Sequence, residues 1–171
     1  MDKIIHSSRL QLIVTPLSFM EPVMQLENHP EHKKFIMPYD KNRHRQCLRS
    51  SDEMHLSIVN FHGKFLGFII LAGLNSFSRS MEFRRIVVAD RGKGIGRECL
   101  QLICRYCFEI KGFHKLWLDV FEDNERAIKL YVSAGFQQEG RLRDEIHGEN
   151  GFRSLLIFSM LEDEYFAQKL N

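Results

Sequence analysis

No apolar run in this chain is long enough to cross a bilayer. The longest, Phe65 to Leu74, holds two glycines and falls far short of the ~20 residues a spanning helix needs. The opening residues, Met1 to His6, lack the apolar core of a signal peptide, so a cytoplasmic location is expected. An excess of one charge is missing too. Lys plus Arg number 24 against 22 Asp plus Glu, a formal net charge of +2. Such a balance supplies neither a basic face for nucleic acid nor an attraction to membrane surfaces. No repeat, low-complexity stretch or linker interrupts the sequence. With 171 residues, 44% of them hydrophobic, the chain can bury one sizeable core, and a single domain over residues 1–171 is expected.

Cysteine is sparse, and its placement argues against redox or metal chemistry. Cys99, Cys104 and Cys107 fall in one expected helix, with Cys47 far away. A redox pair draws its low thiol pKa from the positive end of a helix, whereas Cys104-x-x-Cys107 lies near the other end. No further ligands stand at zinc spacing, and the eight histidines contain no His-Glu-x-x-His. Pro30 disrupts the pair His29-x-x-His32. Buried, reduced thiols and no metal are expected.

What is present is periodicity. Leu10 to Thr15 reads as a strand, and Leu17 to Asn28 as an amphipathic helix. His29 to Glu53 is polar and reads as short helices and loops. Met54 to Phe61, Lys64 to Leu74 and Met81 to Ala89 read as three consecutive strands, the first two joined by a turn at His62-Gly63. A helix over Arg97 to Lys111 ends at Gly112. Lys115 to Phe121 is a strand, and Asn124 to Ala134 a helix stopped by Gly135. Phe136 to Ile146 and Phe152 to Leu161 are strands around the turn His147 to Gly151. The fold class is α/β (α+β): a mixed, largely antiparallel central sheet with flanking helices and one right-handed βαβ crossover. Its ligand belongs at the carboxyl end of the strand that feeds the crossover.

That end carries Arg91-Gly92-Lys93-Gly94-Ile95-Gly96-Arg97. Glycines leave backbone N–H groups uncovered, and a helix N-terminus adds positive potential, so the loop suits a phosphate. A Walker A loop needs Ser or Thr after its Gly-Lys, but Gly94 follows Lys93. A dinucleotide fingerprint needs a glycine where Arg97 stands. Asp119 lies where a ribose-binding acid would, yet the upstream meander is wrong for a doubly wound sheet.

Arg91-x-x-Gly94-x-Gly96 at a strand-to-helix junction resembles the acyl-CoA pyrophosphate loop of the GNAT superfamily of N-acetyltransferases. Far downstream, Asn124-x-x-Ala127-x-x-Leu130-Tyr131-x-x-x-Gly135-Phe136 resembles that superfamily's second signature helix. Glu139-Gly140-x-Leu142-Arg143-Asp144 and Asn150-Gly151-Phe152 look like the branch of ribosomal-protein N-terminal and spermidine acetyltransferases. Ser154 and Val88 depart from it, where an acid and a proline are common.

The resemblance implies an acetyl-CoA-dependent N-acetyltransferase acting on a primary amine by direct attack in a ternary complex. It assigns the pyrophosphate to Arg91, Gly92, Lys93, Gly94, Ile95, Gly96 and Arg97. Pantetheine pairing falls to the backbone of Ile86 and Val88, with an N–H near Val88 for the developing oxyanion. Asn124 contacts the cofactor or caps its helix; the two roles are compatible. Tyr131 is the general acid for the thiolate, although its apolar stripe also suits a core tyrosine. Glu82 is the candidate base, with an ion pair to Arg84 as the plainer reading; Glu122 and His55 are weaker candidates. The segment Pro16 to Glu53, with the turn near His147, shapes the acceptor side. Its acids Glu21, Glu27, Glu31 and Asp40 either attract a cationic amine or solvate a helical surface. Small-molecule and peptide amines stay open as acceptors, a homodimer is compatible with the family, and neither nucleic acid nor membrane is an expected partner. The alternative is a non-catalytic acyl-CoA sensor or interaction module on the same fold.

Overall fold

A computed structural model describes residues 3–148 and 150–170. Glu149, inside the expected turn at 147–151, lies outside the described residues, as do Met1, Asp2 and Asn171. The strands are β1 (Lys3–His6), β2 (Leu10–Val14), β3 (Glu53–Asn60), β4 (Phe65–Ala72), β5 (Ser80–Val88), β6 (Lys115–Phe121), β7 (Gln137–Gly148) and β8 (Gly151–Leu161). The helices are α1 (Met20–Asn28), α2 (Pro30–Lys33), α3 (Lys41–Arg49), α4 (Ile95–Arg105), α5 (Glu125–Ser133) and α6 (Glu162–Lys169). One sheet of eight strands has the order β1-β2-β3-β4-β5-β6-β8-β7. Every neighbouring pair is antiparallel except β5 and β6, which the α4 crossover joins in parallel. The expected mixed sheet with one βαβ unit is therefore the observed one.

Two elements went unread in the sequence. Strand β1 has only four residues and no alternation long enough to signal it. Helix α6 buries none of its residues fully; Glu164 caps it, its carboxylate accepting the Leu161 N–H at 2.8 Å, and Tyr165 stacks on Phe108 with ring centres 4.9 Å apart.

Strands β3 and β4 lie at the centre, and the run Phe68-Ile69-Ile70-Leu71-Ala72 is buried on both faces. On one face Leu56, Ile58, Ile69 and Leu71 pack with Cys99, Leu100 and Ile103 of α4. On the other, Phe68, Ile70 and Val87 pack with Val23 of α1 and Cys47 of α3. All four cysteines are free and buried.

The strand that feeds the crossover carries a bulge. In the β4–β5 register Ile70 faces Arg85 and Leu71 faces Phe83, so Arg84 is an extra residue. An inserted residue reverses which face each later side chain takes. Met81 and Phe83 belong to the α4-side core, whereas Val87 belongs to the α1/α3 side and Ile86 and Val88 turn toward α4. Arg85 is thereby directed into the α1/α3 layer.

Beside this strand Gly67 pairs with Val88 at φ +153°, and a Cβ there would overlap the Val87 carbonyl. Gly67→Ala is expected to destabilise the fold by about 2 kcal/mol. Urea denaturation measures this; a variant as stable as the parent would show that β5 can retreat freely.

Candidate active site

Strands β5 and β6 pair at only three positions: Ser80 with Lys115, Met81 with Leu116 and Glu82 with Trp117. Beyond these the strands part, and their facing edges run on unpaired to Val88 and Phe121. The gap opens into a cleft of about 840 Å³ walled by β5, β6, α5, the loop before α4 and the segment after α2. Tyr131, Glu82, Asn124, Ile86, Val88 and the loop residues 91–97 all line this cleft except Lys93, which is paired with Asp90 at 2.9 Å.

At one end is the glycine loop. Gly92 and Gly94 take φ of +83° and +77°, the left-handed region where a side chain is costly. Gly94 is the N-cap of α4 and supplies no capping side chain. The helix therefore starts at Ile95, two residues before the expected Arg97, and its first N–H groups stay uncapped. Arg97 donates to Ser133 Oγ at 2.9 Å, and Arg91 to the Glu31 carbonyl at 2.7 Å. Two guanidinium groups thus flank uncapped N–H donors, a donor set suited to a pyrophosphate.

At the other end is α5. Asn124 caps it, accepting from the Ala127 N–H at 3.3 Å. Tyr131, 7% exposed, packs against Phe136 with ring centres 6.0 Å apart. Its hydroxyl has no hydrogen-bond partner among the described residues. Among the described residues every fully enclosed side-chain polar atom has one, so this hydroxyl is not fully enclosed and borders the cleft. Burial, then the negative charge of Asp119, pushes its pKa well above the ordinary tyrosine value.

The carboxylates of the cleft differ sharply in their partners. Glu82 takes three contacts from Arg84: Nε at 3.1 Å and 3.0 Å, and Nη2 at 2.6 Å. Arg84 continues to Glu53, which Arg43 holds at 2.8 Å and 2.5 Å. Hydrogen bonding to Arg43 keeps the Glu53 carboxyl below its usual range. Asp119, just past the last β5–β6 rung, has no hydrogen-bond partner among the described residues. It lines the cleft and is solvent-exposed there rather than enclosed. Burial, then the Glu82 charge, raises its pKa, against an opposing effect of Arg84 and Arg85. In the sequence Asp119 is marked only by its place near the end of a strand, where it resembles a ribose ligand.

The weaker base candidates lie elsewhere. Glu122 is bonded by Arg141 at 2.6 Å and 3.0 Å outside the cleft. His55 is buried, and burial drives its pKa down to about 3. The acids of the 16–53 segment also separate. Asp40 caps α3 by accepting from the Arg43 N–H at 2.7 Å, and Glu31 pairs with Arg91 at 3.6 Å. Glu27, read as either an amine attractor or a solvated acid, is neither: it is fully buried. Among the described residues no three His, Cys, Asp or Glu side chains are arranged as a metal site, and no helix is long and apolar enough to cross a membrane.

Comparison with known proteins agrees with this geometry. Residues 20–136 match the family model described as the acetyltransferase (GNAT) family. Spermidine N(1)-acetyltransferase of Escherichia coli strain K12 is 30% identical over 131 residues, covering 76% of this chain and 67% of that protein. Acetyltransferase PseH of Campylobacter jejuni is 31% identical over 108 residues, covering 62% and 60%. Among solved structures, spermidine N-acetyltransferase of Vibrio cholerae in complex with CoA and spermine superposes with a TM-score of 0.84 at 24% identity, covering 94% of this chain and 99% of that one. The chain belongs to the GNAT family, enzymes that move an acetyl group from acetyl-CoA to an amine.

Proposed function

We propose that this enzyme acetylates a cationic primary amine of the polyamine type, in one step within a ternary complex. The observation that carries the reading is a pair of polar groups without hydrogen-bond partners among the described residues, the Tyr131 hydroxyl and the Asp119 carboxylate, at the point where β5 and β6 part. The names of the relatives, spermidine and spermine acetyltransferases, support the acceptor class.

Acetyl-CoA lies with its pyrophosphate over the N–H groups and guanidinium groups of residues 91–97, Lys93 adding charge at the rim. Its pantetheine arm pairs with the open edge of β5 near Ile86 and Val88, as an added strand would. Asn124, while capping α5, borders the same arm. The acceptor arrives as an ammonium ion and gives one proton to Asp119. The freed nitrogen attacks the thioester carbon; a C–N bond forms, and the oxyanion is held by backbone N–H groups near Val88. The C–S bond then breaks, and the departing thiolate takes the proton of Tyr131. The second amine proton passes to solvent. Glu82 tunes Asp119: its negative charge favours the protonated form and so strengthens the base.

No cysteine lines the cleft, and burial pushes the thiols of Cys99 and Cys104 up to about 12, which argues against a covalent acyl-enzyme. Buried free thiols suit a reducing compartment, and we place the enzyme in the cytoplasm as a single catalytic domain. A homo-oligomer is the expected assembly, the dodecameric Vibrio cholerae relative being the precedent.

Tyr131→Phe is expected to lower kcat about 100-fold while leaving acetyl-CoA affinity within twofold. Steady-state kinetics with spermidine, read by release of free CoA thiol, together with calorimetry, measure both. Unchanged turnover removes the acid role; cofactor binding without any wild-type turnover across an amine screen favours the sensor reading.

The base assignment makes a signed pH prediction. Asp119 must be ionised to accept the proton, so kcat/KM falls as pH drops through its raised pKa. Asp119→Asn is expected to cost about 100-fold in kcat. Glu82→Gln removes a negative neighbour, lowers the Asp119 pKa and moves the acid limb to lower pH. A collapse of turnover in Glu82→Gln with Asp119→Asn near wild type would give the base role to Glu82 itself.

A further inference from the structure

Under the acceptor wall of the cleft lies a buried polar cluster that the chemistry above does not use. Its centre is Glu27 of α1, whose side chain is wholly enclosed. Arg85 Nη1 bonds its Oε1. His44 Nε2 meets its Oε2 at 2.8 Å, and the Tyr39 N–H donates to the same oxygen at 3.1 Å. Behind His44 the cluster continues through His55 at 3.1 Å to Thr15 at 2.9 Å and on to Ser57 at 2.9 Å. One carboxylate therefore ties together α1, α3, β5 and the segment between α2 and α3.

That segment is a wall of the cleft: Phe35, Ile36, Met37 and Tyr39 all line it. Residues 34–40 form no helix or strand of their own, so their placement depends on side-chain anchors. Arg85 supplies two. Its Nη2 donates to the Met37 carbonyl at 2.8 Å, and its guanidinium lies 3.9 Å from the Tyr39 ring centre. The Arg43 guanidinium approaches the same ring at 4.8 Å, and Arg43 leads through Glu53 and Arg84 to Glu82. Tyr39 thus joins the buried cluster to the row of charges that ends beside the reacting groups.

We infer that Glu27 is a positioning residue for acceptor binding: its buried carboxylate orients Arg85 and Tyr39, and through them fixes the 34–40 wall against β5. This rests on the reading of that wall as the acceptor side.

The chemistry of the node explains why a carboxylate is needed. Arg85 and the Tyr39 N–H are obligate donors, and they sit on different oxygens of Glu27. A glutamine of the same shape must turn its NH₂ toward one of them in either orientation. Glu27→Gln therefore frees either the Tyr39 amide or the Arg85 guanidinium, and the wall loosens without loss of side-chain volume.

The test uses the full chain, with spermidine as acceptor or, should the wild type leave spermidine unmodified, the amine turned over fastest in the screen. Failure of spermidine alone thus falls on the polyamine reading and not on Glu27. Glu27→Gln is expected to raise the acceptor KM about tenfold or more while the acetyl-CoA KM stays within twofold. Amide hydrogen exchange is expected to quicken over residues 34–40 and to stay unchanged over α4. Tyr39→Leu, at a half-buried position, is expected to reproduce the acceptor effect and decides the matter if Glu27→Gln does not fold. A rise in the acetyl-CoA KM instead, no change in either KM, or an equal loss in both with exchange quickened throughout the sheet would each overturn the proposal.

Discussion

Where two parallel strands stop pairing inside a folded chain, each leaves a row of N–H and C=O groups that must find water or a ligand. An enclosed backbone group without a partner costs about 1–3 kcal/mol. Past Glu82 and Trp117, β5 and β6 meet this constraint along their facing edges. The solution is a solvated cleft wide enough for an extended molecule, with the uncapped start of α4 at one end and Tyr131 at the other. The crossover helix cannot close the gap, because α4 packs on the face of the sheet, through Cys99, Leu100 and Ile103. Site and fold are one feature: the shape that makes the sheet incomplete is the shape that, in our proposal, takes an acyl donor as an extra strand.

The bulge at Arg84 sets the second condition. By reversing the faces of β5 it turns Ile86 and Val88 toward α4 and sends Arg85 into the α1/α3 layer. A guanidinium in an apolar layer demands a counter-charge and acceptors for its donors. Glu27 and the Met37 carbonyl answer that demand. The buried polar cluster is a consequence of the bulge, not an independent ornament of the helices. It also explains why α1 and α3, separated by an irregular segment, converge on one point of β5.

This dependence accounts for what the sequence disclosed and what it hid. Glycine spacing at 92–96 and the Asn124–Tyr131 helix are local patterns, and local patterns survive in one dimension. The meander and the crossover followed from strand lengths and turns. The bulge did not show, because both faces of β5 are covered. Alternation therefore continues unbroken from Met81 to Val87 although the faces have exchanged. Glu27 was illegible for a related reason. An acid on a polar helix face resembles any solvated acid until the arginine it neutralises, 58 residues later, is folded against it. Asp119 stood on a readable strand, but only the divergence of β5 from β6 gives its carboxylate an empty space to face.

Charge pairing decides what that space offers a substrate. Around the divergence Arg84 is matched by Glu82 and Glu53, Arg85 by Glu27, and Arg153 by Asp123 at 2.6 Å. Each of these cations is spoken for before a ligand arrives, and the Asp119 carboxylate is left with no hydrogen-bond partner among the described residues. In the proposed complex such a cleft is cationic where the loop meets phosphate and anionic where the acceptor meets the thioester. A single positive field over the whole cleft would hold CoA as well but would repel an ammonium ion. Two arginines adjacent in sequence can stand beside the proposed amine site because separate acids neutralise them, half-buried Glu82 and Glu53 for Arg84 and fully buried Glu27 for Arg85.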